Sequence, residues 1–128
     1  MKTNYKVAIA LVAGAAIGGA AIQGLHAQAK PPVYVVGENT VTNADAYIKE
    51  FVPLARASIK NAGGKAVAAS QNVTMLEGAP QTSRVTINVF DSLEKAKAWR
   101  TGAEYKEARK TGDKYATFRA YVVEGLPD

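Results

Sequence analysis

Strict alternation of apolar and polar residues marks two segments in the second half of the chain. In Arg84 to Phe90, the apolar residues Val85, Ile87 and Val89 alternate with polar ones, and residues 117–124 alternate similarly. Because successive side chains of a strand point to opposite faces, these patterns predict two β-strands. A β-branched run over residues 33–39, preceded by two prolines, predicts another strand near the start of the domain.

Two helices are predicted where the apolar period changes to three and four residues. The first covers Ala44 to Ala62 and carries Pro53, which removes one backbone hydrogen bond and predicts a kink. Residues 42 or 43 can cap its start, and the glycines at 63 and 64 can end it. The second covers residues 92–110, with an interruption at Thr101-Gly102. Its buried side would carry Leu93, Ala96, Trp99, Tyr105 and Ala108. Between the helices, residues 65–69 and 73–76 predict a strand in two parts or with a bulge.

The order strand, helix, strand, strand, helix, strand predicts an α+β fold, the ferredoxin-like βαββαβ sandwich. A four-stranded antiparallel sheet would carry both helices on one face. We expect the covered face to hold Val33, Val35, Val85, Ile87, Val89, Phe118, Ala120 and Val122. The opposite face would hold Tyr34, Val36, Glu38, Arg84, Thr86, Asn88, Phe90, Arg119, Tyr121 and Val123. Since that second face is too apolar for open solvent, we expect a homodimer in which two sheets form an α/β barrel.

The first 29 residues have the layout of a cleavable secretory signal. Lys2 and Lys6 precede an uncharged run from Val7 to Leu25, and Ala27 and Ala29 suit a signal peptidase that cuts after Ala29 or, alternatively, after Ala27. We therefore expect residues 1–29 to be a signal peptide, residues 30–128 to be the dimeric α/β-barrel domain, and the protein to be exported to the periplasm or secreted. The alternative is an uncleaved anchor, because the run reaches the length of about twenty residues that spans a membrane.

Composition removes several kinds of chemistry. The chain has no cysteine, and its only histidine, His26, lies in the predicted signal. These absences argue against thiol and histidine catalysis and against the usual zinc, copper and iron sites, so we expect no metal and no cofactor. Residues 30–128 contain 14 basic and 11 acidic residues, a net charge of +3, with the two signs interspersed. This pattern does not favour nucleic-acid binding.

Six short segments in order resemble the bacterial domain-of-unknown-function family 1330, of the dimeric α/β-barrel superfamily. They are Tyr34-Val35-Val36 with Asp45-Ala46-Tyr47; Ala62-Gly63-Gly64-Lys65; Leu76-Glu77-Gly78; Arg84-Val85 through Phe90 with Ser92 and Glu94; Ala98-Trp99 with Glu104-Tyr105 and Arg109; and Val123-Glu124-Gly125. The resemblance implies the same fold and dimer but no known reaction. Members commonly have an acidic residue where this chain has Val89, and often an aromatic residue where it has Arg100.

Six side chains are candidate ligand contacts, namely Tyr47, Arg84, Trp99, Tyr105, Arg109 and Arg119. Trp99, Tyr105 and Arg109 share one helical face and could line a pocket against the sheet, although aromatic residues at this spacing more often serve packing. Arg84 and Arg119 would project into the barrel interior, where they could bind a small carboxylate or pair with a carboxylate of the protein such as Glu38.

The first functional hypothesis is a small-molecule-binding homodimer of the cell envelope that has no assignable reaction. The alternative is a cofactor-independent oxygenase- or isomerase-like enzyme, by analogy with relatives in the resembled superfamily. In that case a small organic substrate would be oriented by Tyr47, Trp99, Tyr105 and Arg109. A third hypothesis is a structural subunit with a filled core. The sequence does not decide whether the protein is an enzyme.

Overall fold

The computed structural model describes residues 30–81 and 83–127. The predicted signal segment, residues 1–29, lies outside the described residues. The elements belong to the unit Pro32–Leu126. They are strands β1 (Val33–Val41), β2 (Lys65–Ser70), β3 (Arg84–Phe90) and β4 (Ala116–Glu124), helix α1 between β1 and β2, and helices α2 (Leu93–Thr101) and α3 (Ala103–Gly112) between β3 and β4. Helix α1 has three successive segments, Ala44–Ala46, a π-helical segment Tyr47–Phe51, and Val52–Asn61.

The four strands form one antiparallel sheet in the order β2-β3-β1-β4. This topology confirms the predicted ferredoxin-like α+β fold. Strand β2 has a register shift between Ala66 and Ala68, so its bulge lies within residues 65–69 and not at the break that was expected between residues 69 and 73. The prediction of a strand at residues 73–76 is wrong, because this segment is part of a loop in which Leu76 is 96% exposed.

Helix α1 follows its predicted bounds with a change of geometry at the proline. The Asn43 side chain accepts a hydrogen bond from the Ala46 amide and caps the first turn. The π-helical segment ends just before Pro53, which lies in the first turn of the following α-helical segment, where a missing amide hydrogen costs least. Gly63, with φ of 84°, then ends the helix in the left-handed conformation.

The core lies between the helices and one face of the sheet. Val33 and Val35 of β1 and Phe90 of β3 meet aromatic and aliphatic side chains from the helices, and all of these residues are buried. The contributions of the helices are Tyr47, Phe51, Ile59, Ala96, Trp99, Tyr105 and Ala108. Ile48 and Leu93 were expected on the buried stripes but are exposed. At Ile48 the wider π-helical turn changes the angular spacing of the side chains.

The prediction for the faces of β3 is wrong. Val35 of β1 pairs with Asn88, and Gly37 pairs with Thr86. Because paired residues in an antiparallel ladder share a face, the polar row of β3 lies under the helices. Val85, Ile87 and Val89 therefore lie on the opposite face. Alternation along a strand determines which residues share a face, but the pairing register decides which face is covered.

The opposite face, here called the open face, is consequently more apolar than expected. It combines the three apolar residues of β3 with Tyr34 and Val36 of β1 and with Tyr121 and Val123 of β4. Arg119 and Glu38 form an ion pair on this face, in which Arg119 donates a hydrogen bond to the Glu38 carboxylate at 3.1 Å. Gln81 also donates to the Glu38 carboxylate, at 3.0 Å. Among the described residues, no helix is long and apolar enough to span a membrane.

Candidate functional site

A pocket of about 60 Å³ lies between α1, α2, α3 and the covered face of the sheet. Its floor is formed by alternate residues of β1 and β3 and by two alanines of β2, and its walls by aromatic side chains of the helices. The pocket is partly open to solvent. It occupies a place where a filled apolar core would otherwise join the helices to the sheet.

Small residues on the sheet leave this space. Ala66 and Ala69 face the pocket from β2, and Gly37 faces it from the centre of β1. A side chain at Gly37 could not be accommodated without rearrangement, because its Cβ would lie 2.5 Å from the Thr86 hydroxyl oxygen on β3. The floor therefore combines short side chains with hydrogen-bonding groups.

Tyr47 brings a hydroxyl to the wall of the pocket. Its ring is 2% exposed, and the hydroxyl accepts a hydrogen bond from the Asn39 side-chain amide at 2.9 Å. Burial raises the pKa of Tyr47 above its usual value, while the hydrogen bond from Asn39 and the charge of Arg84 act in the opposite direction. The phenol is therefore protonated at neutral pH and is suited to hydrogen bonding, not to acting as a base.

Trp99 is fixed in orientation by contacts on several sides. Its indole nitrogen donates to the Ser58 hydroxyl at 3.0 Å, and that hydroxyl donates to the Ala55 carbonyl at 2.7 Å. The indole stacks against Phe90, with ring centroids 5.3 Å apart, and contacts Tyr105 at 4.6 Å. Because its N–H is hydrogen-bonded and its ring packs against two other aromatic rings, Trp99 forms a rigid wall.

Arg84 enters the pocket from β3, on the side of the sheet that carries the helices. Its guanidinium carbon lies 5.8 Å from the centre of the Tyr47 ring. Its Nε atom is buried, and among the described residues that nitrogen has no hydrogen-bond acceptor. Buried polar groups are normally paired, so this nitrogen is an exception that needs an explanation.

Arg100 of α2 also lines the pocket. It follows Trp99 in α2, and its guanidinium carbon lies 4.6 Å from the centre of the Tyr105 ring and 5.6 Å from that of Trp99. Burial lowers the pKa of Arg100, and the charge of Arg109 acts in the same direction. Arg100 is thus held mainly by aromatic contacts.

The structure brings four of the six candidate residues together, namely Tyr47, Arg84, Trp99 and Tyr105. Arg109 lies outside the pocket, over the Phe118 ring at 3.8 Å and paired with Asp113 at 2.8 Å. Arg119 lies on the open face with its side chain 74% exposed. The expectation that Arg84 and Arg119 share a face is therefore wrong, and the reason is the reversed facing of β3.

Sequence reasoning missed the polar floor. Asn39 and Asn88 are buried at positions that face the helices, and Thr86 lies between them. These residues were assigned to a strand end or to the opposite face because they are polar. The row Arg84, Thr86, Asn88 was visible in the sequence, but its polarity suits a solvent-exposed surface as well as a lined cavity, so it did not identify the floor.

A second groove, of about 210 Å³, lies between α2 and β4. Ala120 and Val122 line it from β4, and Trp99 and Arg100 line both this groove and the first pocket. Ala120 and Val122 were expected to be covered, but α2 contacts β1 and β3, so Val122 remains 39% exposed. Within residues 30–81 and 83–127, no group of three or more metal-ligating side chains could hold an ion.

Solved structures share this fold at low sequence identity, which shows the fold alone. A protein of unknown function from Rhodopseudomonas palustris is 20% identical, with a TM-score of 0.61 over 77% of this chain and 85% of that one. The cofactor-independent oxygenase SnoaB from Streptomyces nogalater is 15% identical, with a TM-score of 0.56 over 77% and 96%. A conserved protein of unknown function from Bacteroides thetaiotaomicron is 13% identical, with a TM-score of 0.52 over 75% and 99%.

No curated protein matches the chain. One family does, over nearly all of the unit that the structure describes. The sequence model of the family described as "Domain of unknown function (DUF1330)" matches residues 32–126. This range begins directly before β1 and ends directly after β4. The match agrees with the resemblance of the six short segments, and the chain belongs to the DUF1330 family.

Proposed function

We propose that the protein binds a small organic molecule in the pocket between its helices and its sheet. The observation that carries this proposal is the polar floor: Arg84, Thr86 and Asn88 face a cavity inside the domain instead of solvent. Placing polar groups and an opening in a small core costs stability, because cavities lose packing and buried polar groups need partners. A pocket that binds a ligand is a functional reason for the protein to retain this loss of stability.

Filling the pocket tests the proposal. Ala69 faces the pocket from the edge strand β2, so Ala69→Leu places a larger side chain there, whereas Ala57→Leu adds the same atoms on the exposed side of α1. Native mass spectrometry of protein purified from an envelope extract should show a bound small molecule in the wild type and in Ala57→Leu. Ala69→Leu should lack it. If all three proteins retain nothing, the binding function is wrong.

We also propose that the open face is the interface of a homodimer. Support comes from the apolar side chains that all four strands leave uncovered there, including Tyr34, Tyr121 and Val123, which are all exposed in the single chain. Contiguous apolar patches of this kind are typical of association surfaces. Two copies joined by a two-fold axis would bury the same residues on both sides.

Sedimentation of charged variants tests the dimer. Tyr121→Asp places a carboxylate on the open face and should convert the protein to a monomer. Ile48→Asp is the matched control, since Ile48 is similarly exposed but lies on α1. A wild type that sediments as a monomer at all concentrations would exclude this interface.

We propose, in addition, that the protein is exported and that residues 1–29 are removed. The basic start, the uncharged run and the Ala27-Gln28-Ala29 sequence support this assignment. Cell fractionation with N-terminal sequencing of the purified protein should find it outside the cytoplasm, beginning at Lys30 or at Gln28. A cytoplasmic protein with an intact start would contradict the assignment.

The alternative function is a cofactor-independent oxygenase- or isomerase-like enzyme. One observation favours it: the Tyr47 hydroxyl, the Asn39 amide and Arg84 can together stabilise a negative charge on a bound oxygen atom. The described pocket lining contains no carboxylate, histidine or lysine to act as a base. A substrate would therefore have to arrive already ionised. Oxygen uptake that depends on the protein and on substrate pH would support this alternative.

A further inference from the structure

The pocket has an unbalanced charge. Its described lining includes three arginines, Arg56, Arg84 and Arg100, and no aspartate or glutamate. Among the described residues, neither Arg84 nor Arg100 forms an ion pair. A buried or half-buried positive charge without a counter-ion is unfavourable, so the isolated domain leaves this charge uncompensated.

Two arginines outside the pocket do have carboxylate partners. Arg109 pairs with Asp113 at 2.8 Å, and Arg119 pairs with Glu38 at 3.1 Å, both outside the pocket. Carboxylates are thus placed beside these two arginines and not beside Arg84 and Arg100 in the pocket. The contrast indicates that the partner of the pocket arginines comes from outside the protein.

The position of Arg84 strengthens this conclusion. Its Nε atom is shielded from solvent and has no acceptor among residues 30–81 and 83–127. The neighbouring polar groups of the floor, the Asn88 amide and the Thr86 hydroxyl, are donors that can complete a set around an anionic oxygen. The walls beside them, Trp99 and Phe51, are apolar surfaces.

We propose that the ligand is a small organic anion, most simply a carboxylate, whose charged end is held by Arg84, with Arg100 also in the pocket lining, and whose apolar part lies against the aromatic walls. This inference rests on the proposed binding function and specifies its ligand class. A guanidinium can hold a carboxylate through two parallel hydrogen bonds, a geometry that a neutral amide does not match. The volume of about 60 Å³ admits a head group of a few non-hydrogen atoms, and the open side allows a longer body to extend outward.

Trp99 provides a direct reporter, because it is the only tryptophan of the chain and its side chain forms part of the pocket wall. We would follow the indole N–H resonance of the full-length domain by NMR while adding sodium acetate or sodium benzoate. Acetamide and benzamide are neutral probes of matched shape, and sodium chloride at equal concentration controls for salt. The variants are Arg84→Met and, as the control, Arg119→Met on the open face.

The carboxylates should shift the Trp99 resonance in a saturable manner, and the amides should bind more weakly. Arg84→Met should weaken carboxylate binding by about tenfold to a hundredfold, as expected for a hydrogen bond to a charged group. Arg119→Met should bind like the wild type.

Amides that bind as well as carboxylates, or an Arg84→Met variant with unchanged affinity, would overturn the anionic ligand and leave the binding pocket in place. No shift with either carboxylate would also overturn the inference. The mass-spectrometric comparison of Ala69→Leu then decides independently whether the pocket binds anything else.

Discussion

Replacing Arg84 with methionine should stabilise the ligand-free protein. The Nε atom of Arg84 is buried without an acceptor among the described residues, and leaving such a group unsatisfied costs about 1–3 kcal/mol. Methionine has a similar unbranched shape and retains the packing of the arginine stem. The substitution also removes the contact with the Tyr47 ring, which is worth about 0.5–1 kcal/mol because the guanidinium carbon, at 5.8 Å from the ring centre, is near the outer limit for such contacts. The net expectation is a gain of about 1 kcal/mol.

Thermal unfolding of ligand-free protein measures this gain. For a domain of this length, about 1 kcal/mol corresponds to a rise in Tm of about 4–8 °C. Arg119→Met removes an exposed ion pair with Glu38 and should change the free energy of unfolding by less than about 1 kcal/mol. A clear fall in the Tm of Arg84→Met would refute the reasoning, because it would mean that the guanidinium is satisfied within the protein. A gain in stability together with a loss of carboxylate binding would identify Arg84 as a residue kept for function.

Three further substitutions test the packing around the site. Gly112→Ala should lower the free energy of chemical unfolding by about 1–2 kcal/mol, because the new Cβ would lie 2.6 Å from the Phe51 ring. This loss should exceed the gain of about 1 kcal/mol that alanine brings to a helix. An unchanged unfolding midpoint would show that the Phe51 ring can move. Ser58→Ala should cost about 1–3 kcal/mol by leaving the Trp99 indole N–H unsatisfied, and a neutral result would place water there. Because burial raises the pKa of Tyr47, the protonated phenol favours the folded state below a pH of about 10, and this contribution is lost as the pH rises through the folded-state pKa. The Tm of the wild type should therefore fall more than that of Tyr47→Phe between neutral and strongly alkaline pH. Parallel Tm profiles would contradict the burial of the phenol.

Local patterns in the sequence were sufficient for the elements and their order. The bounds of β3, the cap and stop of α1, and the break between α2 and α3 each follow from a short-range rule about alternation, capping or glycine. The strand expected at residues 73–76 failed because a β-branched and apolar composition does not supply a neighbouring strand with which to pair.

The site was only partly predictable because its chemistry depends on long-range pairing. Trp99 and Tyr105 follow from helical spacing, and the structure places both in the pocket wall. The floor depends on which side of β3 meets the helices, and that choice is made by pairing with β1, more than forty residues earlier in the chain. A polar strand row suits solvent and a lined cavity equally well, so Asn88 gave no local indication of its burial.

The short side chains of the pocket floor give this architecture a simple way to change what it accommodates. Ala66 and Ala69 lie on β2, an edge strand that contacts one neighbour and already carries a bulge, so larger residues there would reshape the cavity without disturbing the central strands. Related domains could thus acquire different ligand preferences through one or two substitutions on β2, while Arg84 on β3 keeps the pocket positively charged.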